Sequence, residues 1–335
     1  MKRLPAHMEM SIDHSRVVIP AFELISKHLD QVRELMSQQF TAPGSAEEVE
    51  QLLRHIDAKN GKMIRPALVL LSGACCGPIT EQHITVAAVV EIIHTATLLH
   101  DDVIDQGQTR RGRPTVNSLW GNESAVLLGD FLLSRVFKMC AELPYEATRE
   151  IGTAAVRVCE GELRQVAQKK NLKLSEPEYI DIIANKSASL FSSCCRIGAA
   201  LTRTDQAQAL SEFGLNTGIA FQITDDLLDV VGDENRTGKT LGSDISNSKL
   251  TLPLIHLLRT IEKDRKGEIE DMLMGGIESR RELGELLRRH GSLEYARNRS
   301  QEFIDKAISS LDNIDPSEAR TSLEQIAQFA GDRAA

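Results

Sequence analysis

The sequence contains few aromatic residues, since Phe, Tyr and Trp together make up 4% of its 335 residues. An interior of ordinary density must therefore be packed mainly with aliphatic side chains. Basic residues are also in deficit, because 39 Lys and Arg against 48 Asp and Glu leave a net charge of −9. Neutralising a nucleic-acid backbone requires a basic surface, so this balance argues against nucleic-acid binding.

Long apolar runs are missing as well. The longest uncharged stretch, Pro66 to Thr80, contains Ser, Gly and Pro and falls short of the ~20 apolar residues of a membrane-spanning helix. Proline and charged residues interrupt the N-terminus, so we predict no signal peptide. With 41% hydrophobic and 26% charged residues, the composition is typical of a soluble globular protein with a substantial core.

The cysteines form neither a CxxC motif nor the spacing of a disulfide framework. Adjacent cysteines rarely bridge each other, and nothing in the pattern resembles a zinc site. We therefore expect free thiols and a reducing, cytoplasmic location. The six cysteines are Cys75, Cys76, Cys140, Cys159, Cys194 and Cys195.

Most of the chain has the pattern of helices, with no Ser/Gly/Pro-rich linker and no short-period repeat. Apolar residues recur three and four positions apart, and β-branched alternation is rare. Such patterns run from Leu127 to Phe137, from Ile180 to Leu190 and, with more charge, from Thr260 to Leu287. We expect one all-α domain over residues 16–335, preceded by a flexible N-terminal tail over residues 1–15.

A five-residue acidic motif occurs twice, as Asp101-Asp-Val-Ile-Asp105 and Asp225-Asp-Leu-Leu-Asp229. The first and last Asp of each motif are four residues apart, so on a helix they share one face about 5–6 Å apart. Carboxylates at that spacing repel each other unless a cation compensates them. Oxygen ligands with open positions suit Mg²⁺, which takes one or two carboxylates together with substrate phosphates and waters.

A single motif of this kind could equally be a solvated acidic helix face. Its repetition weakens that interpretation, and so do the apolar residues that precede both copies, Thr97-Leu-Leu99 and Ile219-Ala-Phe221. They predict that the carboxylates lie at the mouth of a buried cavity.

Basic residues stand close to both acidic motifs in an otherwise acidic chain. An Arg binds phosphate through two parallel hydrogen bonds, and a Lys acts as a mobile point charge. Each base alone would be interpreted as a surface charge, but together they indicate a polyanion held by metal and base. Charged loops at 106–114 and 232–248 follow the two motifs, which is typical of an active-site mouth. The bases are Lys62, Arg65, Arg110, Arg111, Lys186, Lys239 and Lys249.

In these motifs and their order, the chain closely resembles the trans-type isoprenyl diphosphate synthases, from about Asn60 to Pro253. That family is all-α, a single-domain antiparallel bundle of helices around a deep central cavity, and is usually homodimeric. The matching segments are GKMIRP (61–66), EIIHTATLLHDDVIDQGQTRRGRPTVN (91–117), LLGDFLL (127–133), GE (161–162), KSASLF (186–191), FQITDDLLD (221–229), TGK (237–239) and SKLTLP (248–253).

The resemblance implies a magnesium-dependent prenyltransferase that condenses isopentenyl diphosphate with an allylic diphosphate (geranyl, farnesyl or geranylgeranyl) and releases diphosphate. By the same resemblance, Asp101, Asp105 and Asp225 would ligate three Mg²⁺ ions that hold the allylic diphosphate. The other aspartates of the two motifs would assist directly or through water; they are Asp102, Asp226 and Asp229.

The resemblance also implies roles for the bases and for two polar residues. Ser187 and Gln222 would face the developing carbocation. The residues at the allylic diphosphate would be Arg110, Lys186 and Lys239, with Lys249 close by. The residues holding isopentenyl diphosphate would be Lys62, Arg65, His94 and Arg111. The chain departs from many relatives at Asn60 and Ser248, where they have glycine, and at Ser187, where they have threonine.

Residues below the first motif on its helix would form the floor of the cavity. Thr97 and Ile93 lie one and two turns below Asp101, and Ala96 lies beside Thr97. Short-chain relatives place bulky aromatics at positions 96 and 97, so the small residues here predict a product longer than farnesyl. The surrounding HTATLLHDDV (94–103) is most similar to hexaprenyl-to-decaprenyl synthases.

Three alternatives stay open at this point. A short-chain synthase would share the motifs and differ in the floor of the cavity. A terpene cyclase would share the first motif but usually replaces the second with an Asn/Ser/Glu triad, and a non-catalytic subunit would lack the aspartates. As partners we expect a second copy of the chain or a heteromeric subunit, with no nucleic acid, no transmembrane segment and at most transient membrane contact at product release.

Overall fold

The computed structural model describes residues 21–42, 46–56, 61–110, 112–231, 249–262, 265–275 and 280–332. The tail expected over residues 1–15 lies outside the described residues. So do two of the predicted substrate-binding residues, Arg111 and Lys239, and two of the departures from the family pattern, Asn60 and Ser248.

The described residues form helices joined by short connections, which confirms the prediction of an all-α fold. The only strands among them are β1 (Thr109–Arg110) and β2 (Arg113–Pro114), an antiparallel pair in which Thr109 faces Pro114. The α-helices are α1 (Ser26–Gln39), α2 (Glu47–His55), α3 (Ile64–Cys76), α4 (Glu81–Ile104), α5 (Val116–Cys140), α6 (Tyr145–Ala167), α7 (Glu176–Ile183), α8 (Ser189–Ala200), α9 (Ala207–Val231), α10 (Leu252–Thr260), α11 (Lys266–Gly275), α12 (Arg280–Arg289), α13 (Ser292–Ser309) and α14 (Glu318–Asp332). A π-helical turn (Ala184–Ala188) joins α7 to α8, and a 3₁₀ turn (Thr204–Gln206) precedes α9.

Two of the three predicted helical stretches are continuous in the structure. The stretch from Leu127 to Phe137 lies inside α5, and the stretch from Ile180 to Leu190 runs through α7, the π turn and α8. The third, from Thr260 to Leu287, is divided among the end of α10, all of α11 and most of α12. The parts of this stretch are helical, but its amphipathic pattern does not correspond to a single helix.

The core is aliphatic, as the composition predicts. Among its largest fully buried side chains only Phe191, Phe213 and Phe329 are aromatic, and the others are Ile, Leu and Met. All six cysteines carry free thiols, and burial raises the pKa of both Cys75 and Cys195 to about 12. The Cys75 and Cys195 thiols are therefore unreactive packing groups at neutral pH.

Helix α4 runs through this core and ends at the first acidic motif. Its first turn is closed by a capping box, in which the Thr80 N–H donates to His83 Nδ1 at 3.1 Å. It is also the one described helix long and apolar enough to cross a membrane, but 61% of that stretch is buried inside the protein. That burial is the pattern of a core helix.

Two glycines allow neighbouring helices to approach the π turn very closely. A Cβ added at Gly161 of α6 would lie 2.3 Å from the Lys186 nitrogen, and one added at Gly218 of α9 would lie 2.6 Å from Ala188 Cα. Both distances are shorter than real Cβ contacts, so any larger residue would displace the backbone there. The π turn is thus held between α6 and α9 at the depth where both acidic motifs begin.

Candidate active site

The two acidic motifs lie at the carboxyl-terminal ends of α4 and α9. Asp105 caps α4, its N–H donating to the Asp101 carbonyl at 2.8 Å, and Asp229 lies in the last turn of α9. The carboxyl end of a helix carries partial negative charge, which disfavours further anions. Each motif therefore combines repulsion between its own carboxylates with repulsion from the helix, and both effects favour a bound cation.

Asp101 lies in an environment that disfavours the negative charge of its carboxylate. Burial raises the pKa of its carboxyl above the ordinary value, and the neighbouring Glu162 and Asp105 carboxylates act in the same direction. The Lys186 ammonium is the strongest opposing influence on that pKa. A cation delivered to Asp101 would offset the cost of burying its charge.

Asp102 and Arg110 form an ion pair. The buried Asp102 carboxylate accepts from Arg110 Nε at 2.9 Å and from Arg110 Nη2 at 2.6 Å. Its backbone carbonyl accepts from the Gly107 N–H at 2.9 Å and from Asn117 Nδ2 at 3.2 Å. The two-strand hairpin that carries Arg110 is therefore fastened to the end of α4 by a charge-assisted fork.

Asp105 pairs with a base that follows the second motif in sequence. Lys249 Nζ lies 2.8 Å from Asp105 Oδ2, and both side chains are largely buried. The other carboxylate oxygen, Oδ1, is buried and has no hydrogen-bond donor among the residues that the structure describes. A buried carboxylate oxygen in that state is suited to ligating a cation.

Lys186 lies in the π turn, against α6. Its ammonium forms an ion pair with Glu162 and donates to Gln165 Oε1 at 2.7 Å. The close approach of Gly161 to the Lys186 backbone places these two α6 side chains within its reach. Lys186 therefore lies among Glu162, Gln165 and Asp101, positioned by backbone packing.

A chain of hydrogen bonds leads from the next residue to the second motif. Ser187 Oγ donates to Gln222 Oε1 at 2.7 Å, and Gln222 Nε2 donates to Asp226 Oδ1 at 2.7 Å. Tyr179 OH donates to the other oxygen of Asp226 at 2.6 Å. Burial raises the pKa of Asp226 to about 6, against these two hydrogen bonds, and Asp225 and Asp229 add to the rise.

The two acidic motifs therefore share one π turn. Lys186 lies beside Asp101 of the first motif, while Ser187 connects through Gln222 to Asp226 of the second. Lys249 provides a second connection, since it follows the second motif in sequence and contacts Asp105 of the first. The structure thus brings both carboxylate rows to one region, lined by bases.

The basic motif at the start of α3 places both of its cations over aromatic rings. Lys62 Nζ lies 5.2 Å from the centroid of the Phe329 ring, and Arg65 Cζ lies 4.9 Å from that of Phe191. Between them, Met63 adopts the left-handed conformation at φ 54° and is fully buried. Side chains other than glycine rarely adopt this conformation, so the surrounding packing holds the segment in its shape.

The predicted chain-length residues and His94 all lie on α4, on the N-terminal side of Asp101. Thr97 is half-buried and donates to the His94 carbonyl at 2.8 Å, while Ala96 and Ile93 are buried. Thr97 lies one turn below Asp101 and so shares its face, whereas Ala96 lies one turn below His100. A Cβ added at Gly129 of α5 would lie 2.2 Å from His100 Nε2. Ala96 therefore faces α5, and Thr97 faces the side of the acidic motif.

Three residues at the site were not assigned a role from sequence. Tyr179 contacts Asp226, and Glu162 and Gln165 contact Lys186. Glu162 belongs to the GE segment that carried part of the resemblance, which was a usable signal. Tyr179 could have been suspected because a buried tyrosine hydroxyl requires a partner, but its partner could not be deduced from spacing.

The donor set suits Mg²⁺ held jointly with a substrate. Among the described residues, no group of three His, Cys, Asp or Glu side chains is close enough to enclose a metal ion. In the described part of the first motif, the Asp105 Oδ1 atom has no hydrogen-bond donor, and the Asp101 carboxylate lies on the same helix face as Asp105. Mg²⁺ binds in this way, through one or two carboxylates completed by phosphate oxygens and waters.

Comparison with known proteins supplies the family. The polyprenyl synthetase model matches residues 46–289. A short-chain isoprenyl diphosphate synthase of Methanothermobacter thermautotrophicus is 37% identical over 85% of this chain and 91% of its own length. The octaprenyl diphosphate synthase of Escherichia coli is 34% identical over 91% of this chain and 99% of its own length.

A solved structure is similar over nearly the whole chain. The polyprenyl synthase of Caulobacter crescentus, complexed with calcium and isoprenyl diphosphate, superimposes with a TM-score of 0.90 at 32% identity. The match covers 95% of this chain and 98% of that one. A divalent cation and an isoprenyl diphosphate thus occur together in a protein of the same fold.

Proposed function

The chain belongs to the polyprenyl synthetase family and is a prenyltransferase, and we propose that it extends an allylic diphosphate with isopentenyl units to a long-chain polyprenyl diphosphate. The observation that carries this proposal is the π turn, whose Lys186 and Ser187 join the two carboxylate motifs at one site. We place the enzyme in the cytoplasm, because its thiols are free.

In the first step the allylic C–O bond breaks, leaving a carbocation and a diphosphate. Asp101, Asp105 and Asp225 would hold three Mg²⁺ ions, which when bound supply Lewis-acid stabilisation of the departing diphosphate. Lys186 and Lys249 add fixed positive charge, and their contacts with Glu162 and Asp105 keep them in place before substrate arrives. Such preorganised charge stabilises the leaving group without reorganisation during the reaction.

Arg110 contributes through Asp102. Because the Asp102 carboxylate takes the Nε and Nη2 atoms of the guanidinium, the side chain is fixed in orientation at the hairpin. We propose that Arg110 orients the allylic diphosphate from this fixed position, with Arg111 and Lys239 as further contacts. Asp102, Asp226 and Asp229 would support the metal-bound carboxylates.

Ser187 and Gln222 would stabilise the carbocation by their oxygen atoms. Since Gln222 Nε2 donates to Asp226, its Oε1 atom is directed toward Ser187. Each of these two oxygens keeps a lone pair beyond this hydrogen bond, and we propose that these lone pairs stabilise the cation. Binding of both substrates would exclude water from the site, which would otherwise quench the cation.

In the second step the alkene of isopentenyl diphosphate attacks the cation and forms the new C–C bond. Lys62, Arg65 and His94 would hold the diphosphate of this second substrate. The proton leaves the carbon next to the new bond and passes to an oxygen of the released diphosphate. His94 is therefore assigned to binding and not to proton transfer.

The small side chains below Asp101 support a long product. Thr97, on the face of the acidic motif, leaves room for a growing chain that a bulky aromatic would close off. The compared relatives include both short-chain and octaprenyl synthases, so their names leave the length open. A geranylgeranyl or farnesyl product is the alternative.

The test of this function is incubation of the purified protein with farnesyl diphosphate, labelled isopentenyl diphosphate and Mg²⁺. The products are dephosphorylated and sized by reversed-phase chromatography. We expect hexaprenyl or longer products, and no incorporation after EDTA treatment until Mg²⁺ is restored. Products ending at geranylgeranyl would refute the long chain, and absence of label in any lipid would refute the synthase function.

A second copy of the chain is the partner that we propose. Large apolar side chains are exposed along α5 and α6, including Leu127 (67% exposed), Phe137 (73%) and Leu163 (70%). Val156 and Leu163 of α6 are seven residues apart, and Val126 and Phe137 of α5, both beyond the kink at Gly121, are eleven residues apart, so each helix presents an apolar stripe. Two such stripes suit a self-complementary interface.

We expect the protein to have twice the chain mass of 37.0 kDa in solution and Leu127→Lys to lower the mass to that of one chain. The lysine would place an unpaired charge in the buried interface. Light scattering after size exclusion measures the mass. Val49→Lys, which changes an exposed apolar residue of α2, is the control and should leave the mass unchanged. A wild-type protein of 37.0 kDa would contradict the proposed dimer.

A further inference from the structure

Aromatic rings are scarce in this chain, yet two of its nine phenylalanines lie under the two cations of one short basic motif. Phe191, under Arg65, belongs to α8. Phe329, under Lys62, belongs to α14, the last helix, which lies beyond the residues 46–289 matched by the family model. A helix outside the family match thus contacts a residue of the proposed substrate site.

We propose that Phe329 is a positioning residue, through which α14 fixes the Lys62 ammonium and completes the subsite for the second diphosphate. This inference rests on the proposed function, since it takes Lys62 as a ligand of isopentenyl diphosphate. Phe329 touches Lys62 and is not assigned a contact with substrate.

The ring is rigidly placed. Phe329 is 2% exposed and is packed with Ile326 and Leu323 of its own helix in the main core. The start of α14 is tied down by Arg320, whose Nη1 donates to the Ile314 carbonyl at 2.7 Å and whose Nε donates to Glu324 at 3.0 Å. Phe329 is therefore a fixed surface against which a mobile side chain can be held.

The Lys62 side chain reaches this surface. Its residue is exposed, and its ammonium is carried on a flexible four-carbon stem. A cation 5.2 Å from a ring centroid is within the range of attraction by the ring face. The ring thus restricts the range of positions that the Lys62 ammonium occupies before a diphosphate binds.

The backbone beside Lys62 restricts it further. Met63 is held in the left-handed conformation and buried, so the chain direction between Lys62 and Arg65 is set by packing and not by the local preference of the residue. With the backbone fixed at Met63 and both cations over rings, the pair presents two positive charges at a defined separation. A diphosphate, with anionic oxygens on two phosphorus atoms, is the ligand chemistry that this pair suits.

The test compares Phe329→Leu with Phe303→Leu. Phe303 of α13 is also a buried ring beneath cations, Arg299 and Lys306, and has no role at the proposed site. We expect Phe329→Leu to raise KM for isopentenyl diphosphate about tenfold, the size of a moderate cation–π contact. KM for the allylic substrate should stay within about twofold, and Phe329→Tyr should restore wild-type KM. Phe303→Leu should change neither constant.

A double variant separates positioning from packing. If Phe329 acts through Lys62, Lys62→Ala with Phe329→Leu should raise KM no further than Lys62→Ala alone. Full additivity, or equal effects of the leucine substitutions at 329 and 303, would overturn the inference. If Phe329→Leu does not fold, as its melting temperature will show, the volume-conserving Phe329→Met gives the same comparison.

The outcomes also distinguish this inference from the proposed function. Failure of the wild-type protein to incorporate isopentenyl diphosphate would overturn both. Normal incorporation with an unchanged KM in Lys62→Ala would remove Lys62 from the subsite and overturn the inference alone. Normal incorporation, a raised KM in Lys62→Ala and an unchanged KM in Phe329→Leu would show that α14 does not position the lysine.

Discussion

Replacing Asp101 by Asn is expected to lower kcat by about 10³-fold or more, because the amide keeps the shape of the side chain and removes the charge that would hold Mg²⁺. Since burial already raises the pKa of this carboxyl, the neutral amide should not destabilise the fold. The measurement is steady-state incorporation of labelled isopentenyl diphosphate at saturating Mg²⁺, with melting temperature as a check on folding.

Asp30→Asn is the matched control, because Asp30 is an exposed aspartate of α1 paired only on the surface with Arg33. That variant should retain full activity. If Asp101 and Asp225 serve one shared metal site, the doubly substituted protein should lose little more activity than either single variant. A folded Asp101→Asn protein with near-normal kcat would refute the role of Asp101 as a metal ligand.

Thr97→Phe is expected to shorten the product to farnesyl or geranylgeranyl diphosphate. The new ring would lie one turn below Asp101, on the face that the growing chain must pass. Ala96→Phe should also shorten the product, but Ala96 is fully buried on the side of α5, so overpacking should cost about 1–3 kcal/mol of stability. Chromatographic sizing of the dephosphorylated products measures both effects.

Thr95→Phe makes the same exchange on the same helix and serves as the control. Thr95 donates to a carbonyl of its own helix, as Thr97 does, but is directed to the opposite side of α4. The Thr95→Phe variant should leave the product length unchanged. An unchanged length in both Thr97→Phe and Ala96→Phe would place the floor of the cavity on other helices.

The fold class and the positions of both acidic motifs could be predicted from sequence because they depend on local spacing. Apolar residues at helical intervals predict α-helices, and two aspartates four residues apart predict a shared face wherever the helix lies. The division of the stretch from Thr260 to Leu287 was missed for the same reason. A continuous amphipathic pattern does not reveal where tertiary packing ends one helix and begins another.

The partners of the charged side chains could not be predicted. Arg110 was assigned to a diphosphate, and in the structure its guanidinium is held by Asp102, eight residues earlier, through a hairpin that composition does not signal. Tyr179 contacts Asp226 across 47 residues of sequence. Such contacts depend on how distant helices pack, which the spacing of residues along one helix does not encode.

The π turn between α7 and α8 determines the angle by which one helix is rotated relative to the other. One residue in an ordinary helix corresponds to a rotation of about 100° around its axis. The π turn contains a residue more than an ordinary turn would, and Gly161 and Gly218 hold it from both sides. Lys186 and Ser187, two consecutive residues of this turn, contact α6 and α9 respectively. The length of this short segment is therefore as firmly constrained as the identity of the residues in it, and we expect homologues to keep its residue count.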